Sequence, residues 1–197
     1  MDAHGWDERY RDPELVWSRG PNQFVVECVA DLPAGEAIDV GAGEGRNTVW
    51  LAERGWQVTA LDFSAVGLEK AREMAFEADV EIATVVGDVL HYEPVEHVDL
   101  VLLAYLQLPD AQQHRVLRRA ATWLKPGGRL LVIAHDKSNV EHGHGGPPDV
   151  GVCYSVENTV SALKDLTIER ADVVERAVDD AVALDTLVLA RREPDQP

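Results

Sequence analysis

Short apolar runs alternate along the chain with segments whose apolar residues recur at helical spacing. The strand-like runs are Ala37 to Val40, Gln57 to Asp62, Glu81 to Val86, Val98 to Ala104 and Arg129 to Ala134. Val98 to Ala104 is apolar on both faces, as a central parallel strand should be. Between the runs, Thr48 to Arg54 begins a helix that Gly55 stops, and Ala65 to Ala78 places Leu68, Ala71, Ala75 and Ala78 on one face. Asp110 can cap a helix to about Leu124, buried through Leu117, Ala120, Ala121 and Leu124. Pro126-Gly127-Gly128 then turns the chain into the fifth run. This alternation predicts an α/β fold with a mostly parallel sheet.

Asn22 to Ala30 predicts an extra helix ahead of the first strand, with Val25, Cys28, Val29 and Leu32 facing inward. After the fifth run, a loop rich in Gly, His and Pro leads to about Tyr154, and Ser155 can cap a short helix to Lys164. Thr167 to Val178 and Ala183 to Arg191 are the last strands, paired as a hairpin by the short acidic link Asp179-Asp180. In the long loop, from about Asp136 to Gly151, several glycines loosen the backbone and Pro147-Pro148 stiffens it locally, which suits a mobile lid. Residues 1–192 read as one domain and 193–197 as a disordered tail. Within the N-terminal segment of about 1–20, Trp6, Tyr10 and Trp17 suit either a lid, with Trp17 lining the pocket, or plain packing of a helix.

Composition narrows the function classes. The formal net charge of -17 repels phosphate backbones and disfavours a nucleic-acid partner. Cys28 and Cys153 stand far apart without a CxxC pair, so neither a disulfide framework nor a zinc site is expected. Met1 to Gly5 is polar and acidic rather than a leader, and the longest apolar run, near Val98 to Leu108, is broken by Asp99 and Gln107. A cytoplasmic protein without a membrane partner is the expectation; oligomeric state is not readable.

The segment with chemistry in it is Ile38-Asp39-Val40-Gly41-Ala42-Gly43-Glu44-Gly45-Arg46-Asn47, between a strand and a helix. Ligands of open α/β sheets bind at the carboxyl ends of strands, and glycines there let the backbone approach closely. Asp62 ends the second strand about twenty residues after Gly41, where a carboxylate can accept both hydroxyls of an adenosine ribose. Gly87-Asp88 ends the third strand; Asp88 can accept from an adenine amino group while the Val89 amide faces a ring nitrogen. Either aspartate also suits a helix or turn cap. A dinucleotide fingerprint would need glycine or alanine where Arg46 stands, and a pyrophosphate prefers a helix start free of acids such as Asp39 and Glu44. A sulfonium and an ammonium suit an acidic pocket, so charge favours S-adenosylmethionine over NAD.

These residues together resemble the class I S-adenosylmethionine-dependent methyltransferases. Asp39 to Asn47 is similar to that family's first motif, Leu61-Asp62-Phe63-Ser64 to its ribose motif and Gly87-Asp88-Val89 to its adenine motif. Val98-Asp99-Leu100-Val101 resembles its fourth strand, and Leu124-Lys125-Pro126-Gly127-Gly128 the turn before its fifth. The resemblance implies a Rossmann-like sheet of seven strands in the order 3-2-1-4-5-7-6, the seventh antiparallel. It implies S-adenosylmethionine as cofactor and S-adenosylhomocysteine as product, bound through Asp39, Gly41, Ala42, Gly43, Gly45, Arg46, Asn47, Asp62, Phe63, Ser64, Asp88, Val89, Tyr105 and Trp17. Gly45-Arg46-Asn47 followed by Leu51-Ala52-Glu53-Arg54-Gly55 is similar to small bacterial members near the tellurite-resistance methyltransferases. Where that group carries a late histidine-arginine pair, this chain has Glu175-Arg176-Ala177-Val178.

The implied activity is in-line transfer of a methyl group to a small-molecule acceptor. A general base is needed only when the nucleophile arrives protonated. The candidates are Tyr105, after the fourth strand, and His135, after the fifth, with Asp136 to orient it. A non-catalytic module that senses S-adenosylmethionine is the competing reading.

Overall fold

A computed structural model describes residues 3–194; of the tail expected at 193–197, Asp195 to Pro197 lie outside the described residues. Its strands are β1 (Glu36–Val40), β2 (Gln57–Asp62), β3 (Ala83–Val86), β4 (Val98–Ala104), β5 (Leu124–His135), β6 (Thr167–Val178) and β7 (Ala181–Arg191). Its helices are α1 (Ala3–Tyr10), α2 (Gln23–Val29), α3 (Arg46–Glu53), α4 (Ala65–Glu77), α5 (Asp110–Thr122), α6 (Asn139–His142) and α7 (Val156–Ala162). The sheet order is β3-β2-β1-β4-β5-β7-β6, and β7 runs antiparallel to both of its neighbours. The expected α/β architecture, strand order and antiparallel seventh strand are all present. Among the described residues no helix is long and apolar enough to cross a membrane.

The chain forms two compact units, 1–102 and 103–197. In the first, β1 and β2 pair in parallel from Glu36↔Gln57 to Val40↔Leu61, and β3 continues the parallel ladder beyond β2. α3 and α4 pack on β2 and on each other, and α1 packs on α4. Val25, Val40, Leu51, Leu61 and Leu68 are fully buried in this unit. Caps set two of its helices: Asn22 Oδ1 accepts the amides of Phe24 and Val25, and Ser64 Oγ accepts that of Gly67.

In the second unit the hairpin forms as expected, with Thr167↔Arg191 at one end and Val178↔Ala181 at the other. β5 begins earlier than the sequence suggests and runs through Pro126-Gly127-Gly128. Pairing outweighs the local turn residues there: Gly127 donates to the Arg192 carbonyl at 2.9 Å and Arg192 donates to that of Gly128 at 2.9 Å. The cap of α5 is Pro109 rather than Asp110, whose carboxylate instead pairs with Lys137 at 2.7 Å.

The loop expected to act as a mobile lid is laced to β7. Buried Asn139 accepts the Leu184 amide at 2.7 Å and donates to the Gly145 carbonyl at 2.9 Å, while the His144 amide reaches the Val182 carbonyl at 2.9 Å. A freely moving lid would have to break these bonds. Two of the loop's glycines provide clearance: a Cβ on Gly143 would overlap Asn139, and one on Gly146 would come within 2.9 Å of the His135 ring.

Two polar contacts in the first unit generate predictions. A Cβ on Gly35 would overlap the Asp99 carboxyl group, which accepts the Glu36 amide at 2.9 Å. Gly35→Ala should cost about 1–3 kcal/mol, read as a lower urea midpoint, and much less in an Asp99→Ala background; an equal cost in both backgrounds would exclude the overlap as the source. The second contact is Asp39, wholly buried in β1 and hydrogen-bonded by the Thr48 hydroxyl at 2.7 Å. Burial pushes its carboxyl up from 3.8 to about 6, against the Thr48 bond and with help from the charge of Asp62. The folded state therefore prefers the protonated form. The wild type should lose stability relative to Asp39→Asn as pH rises from about 4 through 6, by up to roughly 3 kcal/mol, and the two curves should run parallel below and above that window. Denaturation midpoints across that range test it; a gap independent of pH counts against the assignment.

Candidate active site

The turn after β1 is built on three left-handed glycines, Gly41, Gly43 and Gly45, with φ of 72°, 53° and 83°. The Leu61 carbonyl accepts the amides of Gly41 and Ala42, at 2.8 and 3.2 Å, tying the turn to β2. One residue on, Asp62 clamps it: Oδ2 accepts the Gly43 amide and Oδ1 the Ser64 amide, each at 2.8 Å. Burial raises the Asp62 carboxyl above its usual range, the Ser64 and Gly43 amides oppose the rise, and the charge of Asp7 adds to it. A carboxylate has about four lone-pair sites, so the Gly43 and Ser64 bonds, with a weaker pull from the Phe63 amide, leave acceptor capacity on it.

The glycines differ in what they make room for. A Cβ on Gly45 would sit 2.6 Å from that of Ala71, so this glycine admits the close packing of α4. A Cβ on Gly43 would sit 2.7 Å from the Tyr10 hydroxyl. Tyr10 is buried, and burial together with the charge of Asp62 raises its phenol well above the usual range. α1 thus lies across the turn, fastened where Ser64 Oγ donates to Asp7 at 2.5 Å. Trp6 stacks on Tyr10 at 5.4 Å, and Arg9 lies 5.2 Å from the rings of both Trp6 and Trp17. The segment after α1 is held by buried Glu44, which accepts the amides of Val16 and Trp17 and pairs with Lys70 at 2.9 Å.

The expected acidic crowding at the turn is accordingly redistributed. Lys70 matches the charge of Glu44, and Asp39 lies buried against Thr48, leaving Asp62 as the carboxylate clamped to the turn itself. Asn47 is buried and accepts the Asn22 amide at 2.9 Å, and Arg46 reaches the Ser18 hydroxyl at 3.2 Å. Asp88 caps its own turn, accepting the Leu90 amide at 2.9 Å and facing His91 Nδ1 at 3.1 Å, while Val89 is buried. Phe63 is partly exposed and Trp17 more so.

The second unit gathers four polar side chains. Tyr105 follows β4 with a φ of 59°, a strained value for a residue with a side chain. Its amide donates to the Ile133 carbonyl at 2.7 Å and its hydroxyl to Asp185 Oδ2 at 2.6 Å. Arg176 Nε donates to the same oxygen at 2.8 Å, with its guanidinium 5.4 Å from the Tyr105 ring. His135 stands opposite Asp185 in the β5–β7 register, Nδ1 3.3 Å from Asp185 Oδ1. Full burial of Asp185 would raise its carboxyl, but the donors His135, Arg176 and Tyr105 outweigh that and hold it below the usual range. Burial and the Asp185 charge push the Tyr105 phenol well above its usual range.

One sequence expectation changes here. Asp136 does not orient His135: neighbours along a strand point to opposite faces. Its carboxylate accepts from Ser138 and, at 2.6 Å, from the Thr186 hydroxyl. The His135 partner is Asp185, which sequence reading passed over along with the proximity of Arg176. The signal was a carboxylate in the middle of a largely apolar strand, Ala181–Arg191.

Comparison with known proteins agrees with this architecture. A family model described as a methyltransferase domain matches residues 37–128. A ubiquinone biosynthesis O-methyltransferase of Stutzerimonas stutzeri is 32% identical over 135 residues, 66% of this chain and 57% of that protein. The N-methyltransferase NodS from Bradyrhizobium japonicum, solved with S-adenosylhomocysteine, shares the fold at a TM-score of 0.74 and 18% identity, covering 96% of this chain and 97% of NodS. TehB from Haemophilus influenzae does so at a TM-score of 0.74 and 15% identity, over 97% and 67%. The chain spans less than two thirds of the length of the first curated relatives it matches. With the glycine turn, the strand order and these likenesses in agreement, the chain has the fold of the class I S-adenosylmethionine-dependent methyltransferases, and its residues 37–128 match the methyltransferase-domain family.

Proposed function

We propose that the chain transfers a methyl group from S-adenosylmethionine to a small-molecule acceptor by in-line displacement. The observation that carries this reading is Asp62: a buried carboxylate, clamped to a left-handed glycine turn, with acceptor capacity beyond its amide bonds. Such a group fits an adenosine ribose. Gly41, Ala42 and Gly43 supply the close backbone approach, and Phe63 and Ser64 shape the floor beside Asp62. Gly45 and Asn47 act indirectly, through packing and through the Asn22 bond. α1 and Trp17 serve as the lid over this turn, with Tyr10 as the side chain that gives way to the cofactor or closes on it.

A sulfonium methyl is an electrophile with a good leaving group, and that is the chemistry S-adenosylmethionine brings. The chain's own residues then need chiefly to hold the reactants in line and exclude water, which suffices for much of the rate. A small acceptor is favoured by the net charge of -17, which opposes a nucleic-acid backbone.

Calorimetry with S-adenosylhomocysteine tests the assignment. Asp62→Asn keeps an oxygen for one amide but loses the charge, and affinity should fall at least about tenfold, near 1.4 kcal/mol. NAD should not bind the wild type. Unchanged affinity in a folded variant would remove Asp62 from the site, and tight NAD binding that survives competition by S-adenosylhomocysteine would overturn the cofactor assignment.

A further inference from the structure

The strap between α1 and α2 is fastened in a way that side-chain packing does not explain. Asp12, Pro13 and Glu14 are exposed, and Leu15 packs inward against Val49, Met74 and Ala75. The main chain of the strap is bound instead by one ion pair. Lys70 Nζ, on α4, donates to the Asp12 carbonyl at 2.6 Å, to the Glu14 carbonyl at 3.0 Å and to Glu44 Oε1 at 2.9 Å. An ammonium has three donors, and all three are committed here. Glu44, in the glycine turn, accepts the Val16 amide on Oε1 at 3.1 Å and the Trp17 amide on Oε2 at 3.2 Å. The Glu44 side chain is 3% exposed and that of Lys70 15%, so solvent screens the pair little. Two carbonyls and two amides of the segment 12–17 thus rest on two side chains. Tyr10, just before the strap, sets its hydroxyl 2.7 Å from where a Cβ on Gly43 would stand. Trp17, at the far end of the strap, hydrogen-bonds the Tyr10 side chain.

We propose that the Lys70–Glu44 pair is the latch of a gate over the glycine turn: the strap 12–17 leaves it for S-adenosylmethionine to enter and S-adenosylhomocysteine to leave, so that its opening sets the rate of cofactor exchange. This rests on the methyl-transfer reading above and adds to it the regulation of the same site. Lys70 and Glu44 are positioning residues here, acting on the cofactor through the strap. A segment with few buried apolar contacts opens locally at a fraction of the cost of global unfolding. The strap is such a segment, with Leu15 as its apolar anchor and the latch as its polar one. The pair also couples the strap to the turn. Glu44 lies between Gly43, whose amide Asp62 holds, and Gly45, which makes room for Ala71. Its carboxylate therefore meets the strap only while the turn keeps its left-handed shape. A ligand that fixes the turn favours the closed strap, and the closed strap favours the ligand by the same factor.

Two measurements decide it. Amide hydrogen exchange on the ligand-free protein reads the latch directly. The Val16 and Trp17 amides should be protected in the wild type and exchange at least about tenfold faster in Lys70→Met, while the amides of β1 and β2 keep their protection. Equal exchange of the two strap amides in both proteins overturns the latch. Lys70→Met leaves the Glu44 charge buried without its cation; Leu15→Ala loosens the strap and keeps the pair, and it decides the matter if Lys70→Met does not fold. The second measurement is the kinetics of S-adenosylhomocysteine. Stopped-flow tryptophan fluorescence follows its entry, and dilution of protein loaded with the tritium-labelled compound into excess unlabelled compound follows its release. In the wild type the observed entry rate should level off as concentration rises, at the ceiling set by opening. In Lys70→Met and Leu15→Ala that ceiling and the release rate should both rise at least about tenfold, and Lys70→Arg, which restores a cation, should return them towards wild type. Faster release with unchanged entry would mark damage to the site rather than an open gate. That result, or rates equal in all four proteins, overturns the gate and leaves the methyltransferase reading intact. Absence of S-adenosylhomocysteine binding to the wild type would instead sink that reading.

Discussion

A buried carboxylate must be given donors, and much of this molecule is arranged around three that are. Asp39, Asp62 and Asp185 are each nine-tenths or more buried, and each meets the requirement differently. Asp39 is hydrogen-bonded by Thr48 and eased by the charge of Arg46, but desolvation outweighs both and its carboxyl rises to about 6. Asp62 has the backbone amides of Ser64, Gly43 and Phe63, which oppose the effect of burial without cancelling it. Asp185 has an arginine, a phenol and an imidazole, and alone of the three ends below the usual range. The same side chain is thus a structural tether, a clamp with acceptor capacity to spare, or a fixed anion, according to the donors that the fold brings to it.

The donors arrive by backbone geometry. Asp62 gains its amides because the glycine turn curls back onto the end of β2, which the left-handed conformations of Gly41 and Gly43 permit. Asp185 gains its partners because an antiparallel hairpin sets Arg176 diagonally across from it and the β5–β7 register sets His135 directly opposite. A one-residue slip in either ladder would turn these side chains to the other face and leave the carboxylate buried without partners. Satisfying Asp185 therefore helps to specify the register, and strain at Tyr105 is tolerated because its hydroxyl and amide are both bound.

The sequence by itself determined the fold class and the position of the glycine turn, while the strand order was what the family resemblance of its motifs implied. These rest on local information: the period of apolar residues, the glycines that a tight turn demands, and caps such as Asn22, Ser64 and Ser155 that stop or start a helix where they stand. Only the tertiary structure decided which carboxylate serves His135, because Asp185 lies fifty residues further along and is brought opposite by a ladder whose register no local pattern states. It also decided that Gly45 makes room for Ala71, that Lys70 matches the charge of Glu44, and that the glycine-rich loop is bound to β7. Each of these is a contact between residues distant in the chain, and a side chain's charge, freedom and chemistry are set by what it touches rather than by what precedes it.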